Sequence, residues 1–212
     1  MVEIGIHGFV CVLVPYYWRT YTPWNFLYFC EIALLVTLAA LWLESPFLAS
    51  TQAVGVLLPQ ALWVLDFATR LVAGVHITGM TGYMFNADLP LFVRGLSSFH
   101  GWLPFVLLWL VARLRYDRRA LGVQSALAVV VLLVSYFLAP MPPPSLGRPS
   151  AAVNINYVYG MDDRQAQTWM APEAWLVLMM AFNLLCLYVP THFLLRRFFS
   201  PESEAARRRP PR

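Results

Sequence analysis

The chain has 212 residues, of which 59% are hydrophobic and 12% charged, and its mean hydropathy is +0.60. Soluble domains carry about a quarter charged residues, so this composition excludes a disordered chain, a disulfide scaffold and an ordinary water-soluble enzyme. The formal net charge of +4 rests on arginine alone, because the chain has no lysine. Arg113, Arg115, Arg118 and Arg119, and then Arg196 and Arg197, directly follow apolar runs. That placement marks flanks that orient a membrane protein, and it argues against a nucleic-acid partner. The three cysteines, Cys11, Cys30 and Cys186, all lie in apolar stretches, and their odd number implies no disulfide framework.

The N-terminal run 4–18 contains Pro15 and is short for a membrane crossing. It reads as an interfacial or partly inserted segment, with a sixth span as the alternative. A crossing needs about 20 mostly apolar residues. Five stretches supply them, over about 24–43, 51–72, 96–112, 120–139 and 174–195. The predicted fold is therefore all-α, a polytopic integral membrane helix bundle with five transmembrane helices in a single membrane domain over 1–199. Positive flanks put the 113–119 link in the cytoplasm. By alternation the 74–95 and 140–172 loops are external, and the C-terminus is cytoplasmic in the cell membrane. The tail 200–212, with Arg207, Arg208 and Arg209, reads as disordered and basic, in reach of anionic headgroups. Trp18, Trp24, Trp102, Trp169 and Trp175 fall near external span ends, as an aromatic belt would.

Ionisable groups within a bilayer are costly and usually face a bundle interior or a wet cavity. Glu31 lies about 10 Å into the first span at 1.5 Å per residue, beside Cys30, with Asn25 and Tyr28 nearer the outer end. Asp66 and Arg70 stand at i and i+4 on the second span, a spacing that permits an ion pair. Ser97 and His100 share a face at the outer end of the third, and Tyr136 lies near the outer end of the fourth. The external loop adds Asn154, Asn156, Tyr157 and Tyr159. The expected site is an outward-facing polar pocket lined by Tyr28, Asp66, Arg70, Ser97, Tyr136 and Tyr157. The plain alternative is that helix ends are more polar anyway. His100 could serve as a general base, a metal or haem ligand, or a hydrogen-bonded interfacial residue. His76 reads as exposed, and His192 as reaching the inner surface. No dinucleotide fingerprint, phosphate loop or metal motif is present, and no cofactor or metal is implied.

Three short segments carry a family resemblance. Trp24-Asn25-Phe26-Leu27-Tyr28-Phe29-Cys30 resembles the opening helix of the androgen-induced multi-pass lipid hydrolases, the YwaF-type membrane proteins and the transmembrane plasmalogen acyltransferase. Ser97-Ser98-Phe99-His100-Gly101-Trp102-Leu103-Pro104 is similar to the helix that bears their single important histidine. Asn154-Ile155-Asn156-Tyr157-Val158-Tyr159-Gly160 resembles the Asn-Tyr loop of the YwaF-type group. The resemblance implies acyl transfer on a membrane lipid, with His100 as base and Cys30 as the match to the acyltransferase nucleophile. Tyr28 stands where the hydrolases hold threonine. Glu31 or Asn156 would orient the histidine, or Asn156 would bind the oxyanion. The competing expectation is a non-catalytic protein that binds a lipid or small apolar ligand, as a homo-oligomer or as an accessory subunit of a membrane complex. A transporter ranks lowest, for want of inverted repeats and paired broken helices.

Overall fold

The computed structural model describes residues 2–147, 150–162 and 165–199; the tail expected over 200–212 lies outside them. The fold is an all-helical membrane bundle, with no strand among the described residues. The helices are α1 (Val2–Thr20), α2 (Phe29–Trp42), α3 (Pro46–Ala73), α4 (Leu91–Ser97), α5 (Phe99–Leu114), α6 (Ala120–Leu138), α7 (Pro172–Phe182) and α8 (Val189–Phe199). A π turn, Asn183–Tyr188, joins the last two. Among the described residues, four stretches are long and apolar enough to cross a membrane: Pro46–Ala73, Leu91–Leu114, Ala120–Leu138 and Pro172–Phe199.

The first expected span differs. Instead of a helix over 24–43, a 3-10 turn at Pro23–Leu27 precedes an extended Tyr28, and α2 has only 14 residues. At 1.5 Å per residue α2 covers about 21 Å, less than a hydrocarbon core. The N-terminal run forms a helix of its own. α1 is a continuous helix that buries Ile6, Val10, Leu13 and Tyr17 on one stripe. His7 meets Trp42 at 6.2 Å and Trp18 meets Phe26 at 6.1 Å. α1 therefore runs antiparallel along α2, and neither is among the stretches long and apolar enough to cross a membrane.

α3 is the central helix and packs on α2, α5 and α6. The Ser45 hydroxyl accepts the Leu48 N–H at 3.3 Å, capping its start, and Gly74 ends it with a φ of 73° that glycine adopts without strain. Leu34, Val54, Phe99, Leu103, Leu107 and Val111 form the buried core. α6 and α7 instead expose Val130, Phe137, Val177 and Phe182, the surface that lipid covers.

Gly55 sets the approach of α3 to α6. A Cβ there would fall 2.5 Å from Gln124 Nε2 and 2.7 Å from its Cδ. Gln124 is buried and hydrogen-bonded to Tyr188, so it has little room to yield. Gly55→Ala is expected to cost about 2 kcal/mol by overpacking, read as thermal unfolding in detergent. Introducing Gln124→Ala as well should cancel most of that added loss. Equal penalties from Gly55→Ala with and without Gln124 would contradict the contact.

The bundle has two distinct ends. At one, Arg113 pairs with Glu44 at 2.6 Å, and the Tyr116 hydroxyl meets His192 Nδ1 at 2.6 Å. His192 is thus buried against Tyr116 rather than reaching outward. Asp117 accepts from Arg119 at 2.7 Å, and this hydrogen bond holds its carboxyl below the ordinary carboxylate range. The other end is formed by the 3-10 turn, the 74–90 loop and the 140–171 loop. It holds most of the residues expected to form a site.

Candidate functional site at the loop end

Asp66 stands two turns before the end of α3 and is fully buried. Gly74 reverses the chain, and the following loop wraps the carboxylate. Oδ1 accepts the N–H groups of Ile77 (2.7 Å), Thr78 (2.7 Å) and Gly79 (3.1 Å). Oδ2 accepts the Thr81 N–H at 3.1 Å and the Thr81 hydroxyl, and meets His76 Nδ1 at 3.0 Å. The expected ion pair with Arg70 is absent. The Arg70 guanidinium donates to the Gly74 carbonyl and lies 5.7 Å from the Phe85 ring centre. Spacing i, i+4 allowed the pair, but six nearby donors from the loop satisfy the carboxylate without it. The Asp66 carboxylate is enclosed by the protein, and His76 is held by Asp66 instead of standing free.

Asn156 forms the second construction. Its Oδ1 accepts the Phe29 N–H at 3.1 Å, and its Nδ2 donates to the Leu27 carbonyl at 2.8 Å. The side chain thus satisfies the backbone on both sides of extended Tyr28, which explains why the helix breaks there. Asn156 holds φ 55°, and Asn154 φ 49°, in the left-handed region that asparagine tolerates. Asn154 ties the loop to itself through Tyr159 N–H (2.8 Å) and the Gly160 carbonyl (2.8 Å). The Tyr28 hydroxyl donates to the Val153 carbonyl at 3.2 Å, and the Trp175 indole donates to the Tyr157 carbonyl at 2.8 Å. Trp175 therefore packs inside and Trp102 is half-buried against Phe9, whereas Trp18 and Trp169 keep the exposure expected of a belt.

A third group centres on Glu31, in the first turn of α2 and 4% exposed. Asn25 and Tyr17 lie within electrostatic reach of its carboxyl. The Tyr17 hydroxyl meets Ser97 Oγ at 3.3 Å. Tyr83, from the 3-10 turn Gly82–Phe85, hydrogen-bonds Ser97 and accepts from the Trp63 indole at 3.2 Å. Burial pushes the Tyr83 phenol above its ordinary range, so it keeps its proton. His100 stands beside this group. Its ring stacks on Phe99 at 4.1 Å and on Trp63 at 5.4 Å, and it makes no hydrogen bond among the described residues. Cys30 is half-buried, and no hydrogen bond joins it to His100.

The expected single hollow is thus divided into an Asp66 cradle, an Asn156 clamp and a Glu31 cluster. Two cavities lie elsewhere. One, of about 250 Å³, opens at the loop end and is lined by Tyr136, Met141, Tyr159, Ala166, Gln167 and Pro172. Of the residues expected to bind substrate, only Tyr136 reaches it. Its ring stacks on Tyr159 at 5.3 Å, its hydroxyl donates to Glu173 at 3.4 Å, and the Tyr159 hydroxyl donates to the Tyr136 carbonyl. The other, of about 210 Å³, is an apolar groove between α6 and the α7 segment. Sequence reasoning missed Met141, Ala166, Gln167 and Pro172, which carry no costly charge to draw attention. Among the described residues no group of three His, Cys, Asp or Glu side chains is placed to hold a metal ion. Comparison of the chain with known protein families, characterised proteins and solved structures finds no match.

Proposed function

We propose that this membrane protein is a non-catalytic binder that takes the apolar part of a lipid, or a small apolar ligand, in the cavity at its loop end. The arginine-flanked end then faces the cytoplasm together with the C-terminus, and the cavity opens to the outside of the cell membrane. The observation that carries this reading is the chemistry of the cavity wall. The Gln167 amide is already committed, donating to the Met170 carbonyl at 3.0 Å and accepting from Trp169 and Met170 N–H groups. The Tyr136 and Tyr159 hydroxyls are bonded as well. The wall therefore offers mainly carbon, as ligand pockets do.

The test is native mass spectrometry of protein released from its own membranes. The wild type should carry a lipid-sized or smaller apolar adduct, and Ala166→Trp, which fills the cavity, should lose it while keeping the helical content of the wild type. Identical adducts on both proteins would contradict the reading.

The second reading is acyl transfer by Cys30 and His100. It is favoured by one observation, the direct packing of α2 on α5. It requires His100 to leave its stack on Trp63 and reach the Cys30 thiol, taking its proton as sulfur attacks an ester carbonyl and returning it to the alcohol that leaves as the ester C–O bond breaks, with water then cleaving the thioester to free the fatty acid.

A further inference from the structure

We infer that Glu31 is the anionic ligand of a small monovalent cation, an alkali-metal ion or a primary ammonium group, held inside the loop end of the bundle. This site is separate from the Tyr136–Tyr159 cavity and does not rest on that cavity's function. The inference begins with an unsatisfied atom. Glu31 is 4% exposed, and one of its carboxyl oxygens, Oε2, is buried with no hydrogen-bond partner. A buried acceptor left bare is costly, and each one in a folded protein asks for an explanation.

A second orphan belongs to Thr22, three residues before Asn25. The Asn25 side chain lies beside the Glu31 carboxyl, and its backbone N–H donates to the Thr22 carbonyl at 3.2 Å. Thr22 Oγ1 is also buried without a partner. The polar groups within reach of the carboxyl, Asn25 and Tyr17, are neutral oxygen donors of the kind hard cations accept, and Tyr17 leads on to Ser97. No cationic side chain acts on the Glu31 carboxyl among the described residues. The Arg70 guanidinium is turned to Gly74 and Phe85, and Arg94 donates to the Met84 carbonyl at 3.2 Å.

The helix end offsets part of the cost of a buried charge. Glu31 lies in the first turn of α2, where the helix presents its positive end. A carboxylate there, in an apolar bundle and without a protein counter-ion, is stabilised when a cation of one charge joins it. Two charges would leave the site net positive, since it contains a single carboxylate. A thiolate partner would suggest a softer metal, but the ligands at hand are oxygens.

The experiment compares thermal unfolding of the full chain in nonionic detergent micelles at equal ionic strength in sodium chloride, ethylammonium chloride and N-methylglucamine chloride. The last cation is the bulkiest of the three and serves as the reference. A cation bound only by the folded state raises the melting temperature in a saturable way. The expected result is a rise of about 3 °C or more in sodium or ethylammonium over N-methylglucamine. Sodium alone identifies an alkali-metal site, and ethylammonium alone identifies an amine site. Glu31→Gln, nearly isosteric and uncharged, should melt at the same temperature in all three salts, while Cys30→Ser keeps the difference. Equal melting of the wild type in the three salts overturns the inference, and that comparison needs no variant to fold. A difference that survives Glu31→Gln overturns it too.

Discussion

Asp66→Asn is expected to destabilise the protein by about 3 kcal/mol or more, because it removes a buried carboxylate from six hydrogen-bond donors. The amide keeps one acceptor oxygen, but its NH2 group is turned toward N–H groups that it cannot satisfy. Loss should appear first as faster proteolysis of the 74–90 loop and then as a lower unfolding midpoint. Arg70→Ala separates this cradle from an ion pair. In the cradle, Arg70 makes one hydrogen bond and an exposed cation–π contact, so its removal should cost under about 1 kcal/mol. A loss with Arg70→Ala as large as with Asp66→Asn would restore the pair and remove the cradle.

The second large effect is expected at Asn156. Alanine there leaves the Leu27 carbonyl and the Phe29 N–H unpaired at the helix break, and it places a Cβ-bearing residue without a local hydrogen bond at φ 55°. Together these should cost about 3 kcal/mol, measured by unfolding in detergent. Asn156→Gly relieves the backbone term alone and should recover only about 1 kcal/mol of it. Asn156→Asp keeps the acceptor for Phe29 and loses the donor for Leu27, so it should fall between wild type and alanine. If Asn156→Ala left stability intact, the clamp would be wrong, and a part for this residue in binding an oxyanion would regain its basis.

Much of the fold was legible because of its solvent. A run such as 120–139 is so apolar that only a membrane helix suits it, and α6 follows it to within a residue. The break at Tyr28 was not legible. What makes it stable is a side chain 127 positions away, and no local pattern signals a cap delivered by a distant loop. Pro23 marks only the start of the turn. Asp66 was read through the wrong partner for a related reason. A helical spacing of four advertises Arg70, whereas His76-Ile77-Thr78-Gly79-Met80-Thr81 shows its fitness as a cradle only after Gly74 folds it back. The third expected span also conceals a break. Ser97 and His100 were placed on one face, yet α4 ends at Ser97, so Ser97 turns to Tyr17 while His100 stacks on Trp63.

The polar residues at the loop end therefore fall into two kinds. Asp66, Asn154, Asn156 and Tyr28 hold loops to helix ends, and their hydrogen-bonding capacity is filled by the protein. Glu31 and Thr22 retain unfilled capacity inside the bundle. The apolar cavity beneath Tyr159 lies apart from both. Positions chosen from the sequence for their cost in lipid are thus mostly explained by packing, and the room for a ligand is lined by residues with no such cost.

The most direct test is photo-crosslinking in lipid nanodiscs with a diazirine-bearing fatty acid, competed by excess unlabelled fatty acid, followed by peptide mapping. Competable label is predicted on the segments 136–141 and 159–172, and it should disappear in Ala166→Trp. Competable label on 24–31 and 97–104 instead, abolished by Cys30→Ser or His100→Ala, would contradict a non-catalytic cavity binder and place acyl chemistry at the bundle's other face.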